Sequence, residues 1–168
     1  DRVMTSLNFE FLRARHRELA DLGGFAERYA FTDATSALVK LRTFAESLVK
    51  AVFAHHGLQM SYQSNLLDLL SDPSFKHITP AVVQDKLHLL RVKGNHAAHG
   101  SLHPMPPAKV AELVREAYDL GRWLILSIQS APVDSIPAWK PLPVTLEDGT
   151  AKLKKESQAA RQKLAEQE

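Results

Sequence analysis

Three polar side chains recur at every fourth position past the middle of the chain: Arg91, Asn95 and His99. On an α-helix each step of four advances by about 40°, so the three share an arc of about 80°. Gly94, Ala97 and Ala98 sit beside them. A glycine inside a helix costs on the order of 1 kcal/mol relative to alanine. A cluster of small residues kept at that cost implies that a second helix approaches closely, so the polar stripe points inward. An earlier segment offers partners, with Arg42 and Glu46 four residues apart at the margin of an apolar stripe. If the two segments pack antiparallel, Glu46 neutralises Arg91, because an unpaired buried charge costs several kcal/mol. The expectation is a structural polar network of Arg42, Glu46, Arg91, Asn95 and His99 that sets helix register.

Other reactive side chains fit simpler roles. His96 and His99 lie on adjacent turns, with His103 following and His55-His56 forming a second pair. The chain has no cysteine and no H-E-x-x-H pattern, and Gly100 and Pro104 break the geometry after His99, so no metal site is expected. His55 and His56 are expected at a helix C-terminus, where a positive charge favours the dipole. Arg13, Arg15, His16 and Arg17 form the densest basic run, interleaved with Glu10, Glu18 and Asp21, and read as a solvated helix face. Trp123 and Trp139 read as packing residues, not as a base-stacking platform.

Four long segments carry helical periodicity. The first spans about 8–29, with Asn8 as N-cap and an interruption expected at Gly23-Gly24. The second spans about 33–56. It is capped by Asp33 or Thr35, carries a wide stripe of Leu38, Leu41, Phe44, Ala45, Leu48, Val49, Val52 and Phe53, and is closed by Gly57. Asn65 to Leu70 adds a short helical turn. The third long helix starts at Thr79-Pro80, with Thr79 as cap and Pro80 at the first helical position, and stops at Gly100. The fourth runs from about Pro107 to Gln129. Pro132, Pro137, Pro141 and Pro143 then impose an extended strap, expected to lie over the bundle through Ile136, Trp139 and Leu142. The pattern predicts an all-α fold: an antiparallel bundle of four main helices with a proline-rich strap and an exposed C-terminal helix. Residues 1–5 are set aside as an added or native lead-in. Residues 6–143 form the bundle and strap, and 144–168 a charged helical linker leading to a downstream domain.

Composition narrows the function classes. The chain has 168 residues, 45% of them hydrophobic, which excludes wholesale disorder. No apolar run approaches the roughly 20 residues that span a bilayer, so no membrane role is expected. The formal charge of +2 is weak support for direct nucleic-acid binding. Absence of cysteine excludes disulfides and fits a cytoplasmic setting.

The stretch Arg91-Val-Lys-Gly-Asn95-His-Ala-Ala-His99 resembles the R-x3-N-x3-H helix of HEPN-like helical domains. Ser6 to Leu12, the helix containing Arg42 and Glu46, the Asn65–Leu70 segment, and Arg122-Trp123 followed by prolines together resemble the N-terminal domain of the R subunit of type I restriction–modification enzymes. The resemblance covers roughly residues 6–143. It implies a non-catalytic assembly or regulatory domain within an ATP-dependent, DNA-translocating endonuclease of bacterial defence. The implied partners are the methyltransferase and specificity subunits, and DNA through the complex. This chain has no P-loop and no convincing nuclease core, so ATP, Mg and cleavage belong to the remainder of such a parent. Some HEPN proteins are metal-independent RNases that use an Arg and a His across a dimer groove. In that alternative, Arg91 stabilises phosphorane charge and His96 or His99 is the base, in a homodimer. His96 has the spacing but lies about 140° round the helix from Arg91, and His99 shares the stripe but is too far along. A protein-interaction adaptor is the remaining alternative.

Overall fold

Apolar residues at three- and four-residue spacing produce an all-helical chain, and no strand occurs among the described residues. The computed structural model describes residues 4–100 and 105–143. The long helices are α1 (Arg17–Tyr29), α2 (Ala34–His56), α5 (Ala81–Ala98) and α6 (Pro107–Trp123), with two short helices, α3 (Leu66–Ser71) and α4 (Pro73–Ile78), between α2 and α5. The bundle expected from periodicity is therefore present. The exposed helix expected over 144–168, the lead-in at 1–3, and His103 and Pro104 lie outside the described residues.

α2 is the central rod. Its whole predicted stripe, Leu38, Leu41, Phe44, Ala45, Leu48, Val49, Val52 and Phe53, is buried, and α1, α5 and α6 pack around it. A helix that buries residues on so many sides needs firm ends. Asp33 accepts from the Ser36 backbone N–H at 3.1 Å, and Gly57 closes the helix at φ +62°, a left-handed conformation that glycine adopts without a Cβ penalty. Asn65 and Asp68 form a reciprocal capping box on α3, and Asp72 caps α4 through the Ser74 and Phe75 N–H groups. α4 is an addition to the sequence reading; it places Phe75 against Phe53, ring centroids 5.6 Å apart.

Three local expectations are corrected. The first predicted helix is broken at residues 13–16, not at Gly23-Gly24, leaving a 3-10 turn at Glu10–Leu12 before α1. The two glycines lie within α1 because they are contact points. A Cβ on Gly23 would stand 2.3 Å from the Phe9 ring, and one on Gly24 2.9 Å from the Met4 and Thr5 carbonyls. Thr79 does not cap α5; Pro80 occupies that position with no side-chain cap bond, and the Thr79 hydroxyl is buried without a partner. The fourth helix passes into a π-helical turn at Leu124–Ile128.

The strap lies on the bundle as predicted, with Ile136 and Trp139 partly buried and Leu142 buried. Tyr118 donates its hydroxyl to the Pro137 carbonyl at 2.5 Å, and Trp139 sits 5.4 Å from the Tyr118 ring with the Arg115 guanidinium over it. On the facing side Lys86 of α5 is ion-paired with Glu116 and Asp119 of α6. Burial opposes the Lys86 charge, but the two carboxylates outweigh it and raise its pKa.

Candidate functional site: a cationic cleft between α2, α3 and α5

The start of α2 meets the end of α5 in antiparallel contact at Gly94. A Cβ there would fall 2.4 Å from the Arg42 Cβ and 3.0 Å from the Leu38 carbonyl oxygen, so the close approach implied by the small residues is real. Beside it the Arg42 guanidinium donates to Asn95 Oδ1 at 2.7 Å, joining the two helices. α3, its first turn closed by the capping box, packs against both helices and walls this seam. The result is a cleft of about 380 Å³ lined by Arg42, Glu46, Asn65, Leu66, Leu67, Arg91 and Asn95.

The structure assembles four of the five predicted network residues here but connects them differently. Glu46 does not neutralise Arg91, nor does it pair with Arg42; its carboxylate lies 3.1 Å from Lys50. Among the described residues no carboxylate comes within 4.0 Å of either Arg42 or Arg91. Arg91 is half-buried, and its Nε is fully covered with no hydrogen-bond partner. An unmatched buried donor costs about 1–3 kcal/mol, more when charged. His99 is not part of the network: it sits exposed just beyond α5, only its backbone N–H bonding back to the Asn95 carbonyl at 3.1 Å.

His96, the other partner in the nuclease alternative, is exposed and lines a different cavity. That cavity, of about 650 Å³, also borders Lys93, Leu38, Leu113 and Lys109. Arg91 and His96 thus open on separate cavities of one chain. His55 and His56 occupy the last turn of α2 and are exposed, as expected of helix-end residues.

Two residues, one lining the cleft and one beside Arg91 on α5, escaped the sequence reading. Leu67 is a large apolar side chain left 45% exposed at its edge. His88 lies one turn before Arg91, and burial, then the Arg91 charge, holds its imidazole below the ordinary histidine pKa, with Lys76 acting the same way and Asp85 against them. The i, i+3 spacing to Arg91 was the available signal for His88. For Leu67 there was none, because a six-residue helix buries only part of any periodic pattern.

A second polar cluster lies on the α1 side of the bundle. Glu27, 5% exposed, accepts from Ser6 Oγ at 2.6 Å and from Leu7 N, Asn8 N and Asn8 Nδ2, each at 2.9 Å. Asn8, expected to be an N-cap, instead also grips the strap: it donates to the Lys140 carbonyl at 2.9 Å and accepts from the Lys140 N–H at 2.7 Å. Arg13, expected on a solvated face, bonds Glu10, Asp21 and the Met4 carbonyl, and holds both carboxyls below their usual pKa. A lone acid flanked by Gly23, Ala26 and Ala30 on an otherwise apolar face was the sequence signal for Glu27.

No curated protein and no solved structure matches this chain. One family does match, over residues 25–120, which is more than half of the chain; it takes in the whole cationic cleft and omits Asn8 and the strap. The chain belongs to the family described as a domain of unknown function, DUF4145.

Proposed function

We propose that this DUF4145 domain is a non-catalytic assembly or regulatory module, HEPN-like in type, of the R subunit of a type I restriction–modification enzyme. The observation that carries the non-catalytic reading is the seam at Gly94: the Arg42–Asn95 bond and the backbone contact beside it commit the motif's Asn to holding α2 against α5. The opening of Arg91 and His96 on different cavities supports the same reading, since a single chain does not bring the two together. The choice of parent rests on the residue patterns at 6–12, 37–46, 65–70, 91–99 and 122–143. In that parent the domain contacts the methyltransferase and specificity subunits, while ATP hydrolysis and DNA cleavage, with their Mg, reside elsewhere.

Co-purification tests the proposal. A full-length R subunit carrying this domain should be retained by its methyltransferase core, and the same subunit lacking residues 1–150 should be retained far less. Equal retention contradicts the assembly role. Incubation with single-stranded and structured RNA should leave the RNA intact; cleavage that Arg91→Ala and His96→Ala abolish would establish the nuclease reading in its place.

A further inference from the structure

The cationic cleft is incomplete as it stands. Two guanidiniums border it, and the one carboxylate on its wall, Glu46, is already matched by Lys50 at 3.1 Å. Among the described residues neither Arg42 nor Arg91 has a carboxylate within 4.0 Å, so the charge of both guanidiniums is unpaired. The apolar wall is formed by Leu66, which is buried, and Leu67, which is not. An arginine pair without carboxylate partners beside an exposed leucine is complementary to an acidic–apolar surface, because a planar guanidinium takes a carboxylate in bidentate fashion and an apolar neighbour excludes water. A nucleic-acid strand is the poorer match, because no aromatic side chain lines the cleft for a base to stack on.

We propose that this cleft receives an acidic–apolar segment of a partner protein, an Asp or Glu carboxylate meeting Arg42 and Arg91 and an adjacent apolar side chain resting on Leu66 and Leu67. This deepens the assembly reading and rests on it. The α2–α5 seam beneath is rigid, so the site is preformed, and α3 acts as its wall.

The test is a titration of the isotope-labelled full chain with the capped peptide acetyl-Leu-Glu-Leu-Glu-amide, followed by amide and arginine Nε–Hε resonances. Its Gln counterpart, inorganic phosphate and oligouridylate serve as the other arms. The acidic peptide should shift the Arg42 and Arg91 Nε–Hε signals and the Leu67 amide in a saturable way. The Gln peptide should bind at least fivefold more weakly, and so should phosphate. Arg91→Gln should weaken the acidic peptide at least fivefold, and so should Leu67→Glu, whose exposed position leaves folding intact. No shift at the cleft, an equal response to phosphate, or tighter binding of oligouridylate there overturns the proposal. Failure here is separable from failure of the assembly reading: a full-length subunit with Arg91→Gln and Leu67→Glu that is still retained by the methyltransferase core removes the cleft as a docking point and leaves the domain's role standing.

Discussion

The two polar clusters of this bundle are opposites. In the Glu27 cluster a buried carboxylate meets four donors, and Asn8 spends its amide on both Glu27 and the strap. In the Arg91 cluster a half-buried guanidinium has no carboxylate within 4.0 Å among the described residues, and its Nε is covered without an acceptor. Full satisfaction gives rigidity, since each lost bond leaves a buried group exposed to its desolvation cost. An unpaired guanidinium leaves binding capacity, since a carboxylate for its terminal nitrogens can come from another molecule. The first cluster ties residues 4–13 and the strap to α1; the second, lying wholly inside the stretch shared with the DUF4145 family, is the one equipped to recognise something.

The strongest way to break this contrast is to remove Glu27. Glu27→Ala strips the acceptor from four donors and should cost about 3 kcal/mol, read as a lower urea midpoint, because several buried groups lose their partner at once. A cost below about 1 kcal/mol would mean that water replaces the carboxylate freely and that the cluster is not a clamp.

Gly94→Ala probes the seam under the cleft. In an unhindered helix this change would stabilise by about 1 kcal/mol. Here the new Cβ meets the Arg42 Cβ at 2.4 Å, both on rigid helices, so the rods must separate. A net loss of about 1–3 kcal/mol is expected from thermal or urea unfolding. A gain would show that the α2–α5 contact yields easily and that the cleft is not preformed.

A smaller effect is predicted at His88. Burial, reinforced by Arg91, depresses its pKa in the folded state, so the unfolded chain takes up the proton more readily. The stability His88 permits is therefore complete above the unfolded value of about 6.5 and declines as pH falls through it towards the folded pKa. His88→Gln should flatten that decline in melting temperature between about pH 7.5 and 5.5, and Arg91→Met should weaken it. An unchanged pH profile in both variants would show that His88 is not coupled to the cleft.

Much of this architecture was legible in the residues. The stripe of α2, its Asp33 cap and its Gly57 stop follow directly from local patterns, because each depends on neighbours within one helix. Gly94 was readable as a contact because small residues clustered beside it. Gly23 was not, because its partner, Phe9, lies in a different element and a glycine pair equally signals a break. Pairing of charges was the least legible layer. Glu46 had Arg42 four residues before it, Lys50 four residues after, and Arg91 across the seam, and the sequence holds nothing that ranks the three. The structure gives Glu46 to Lys50 and Arg42 to Asn95, which is what leaves Arg91 unmatched. The role of Arg13 as a staple for Met4 was hidden for the same reason.

The most direct test of the contrast is the stability of Arg91→Met, which keeps the aliphatic stem and removes the guanidinium. If Arg91 is held for recognition and not for folding, the variant should be at least as stable as the wild type, by up to about 1–3 kcal/mol, because no native hydrogen bond is lost and the cost of the unmatched Nε is removed. A loss of about 2 kcal/mol or more would place Arg91 in the scaffold alongside Glu27 and contradict the account.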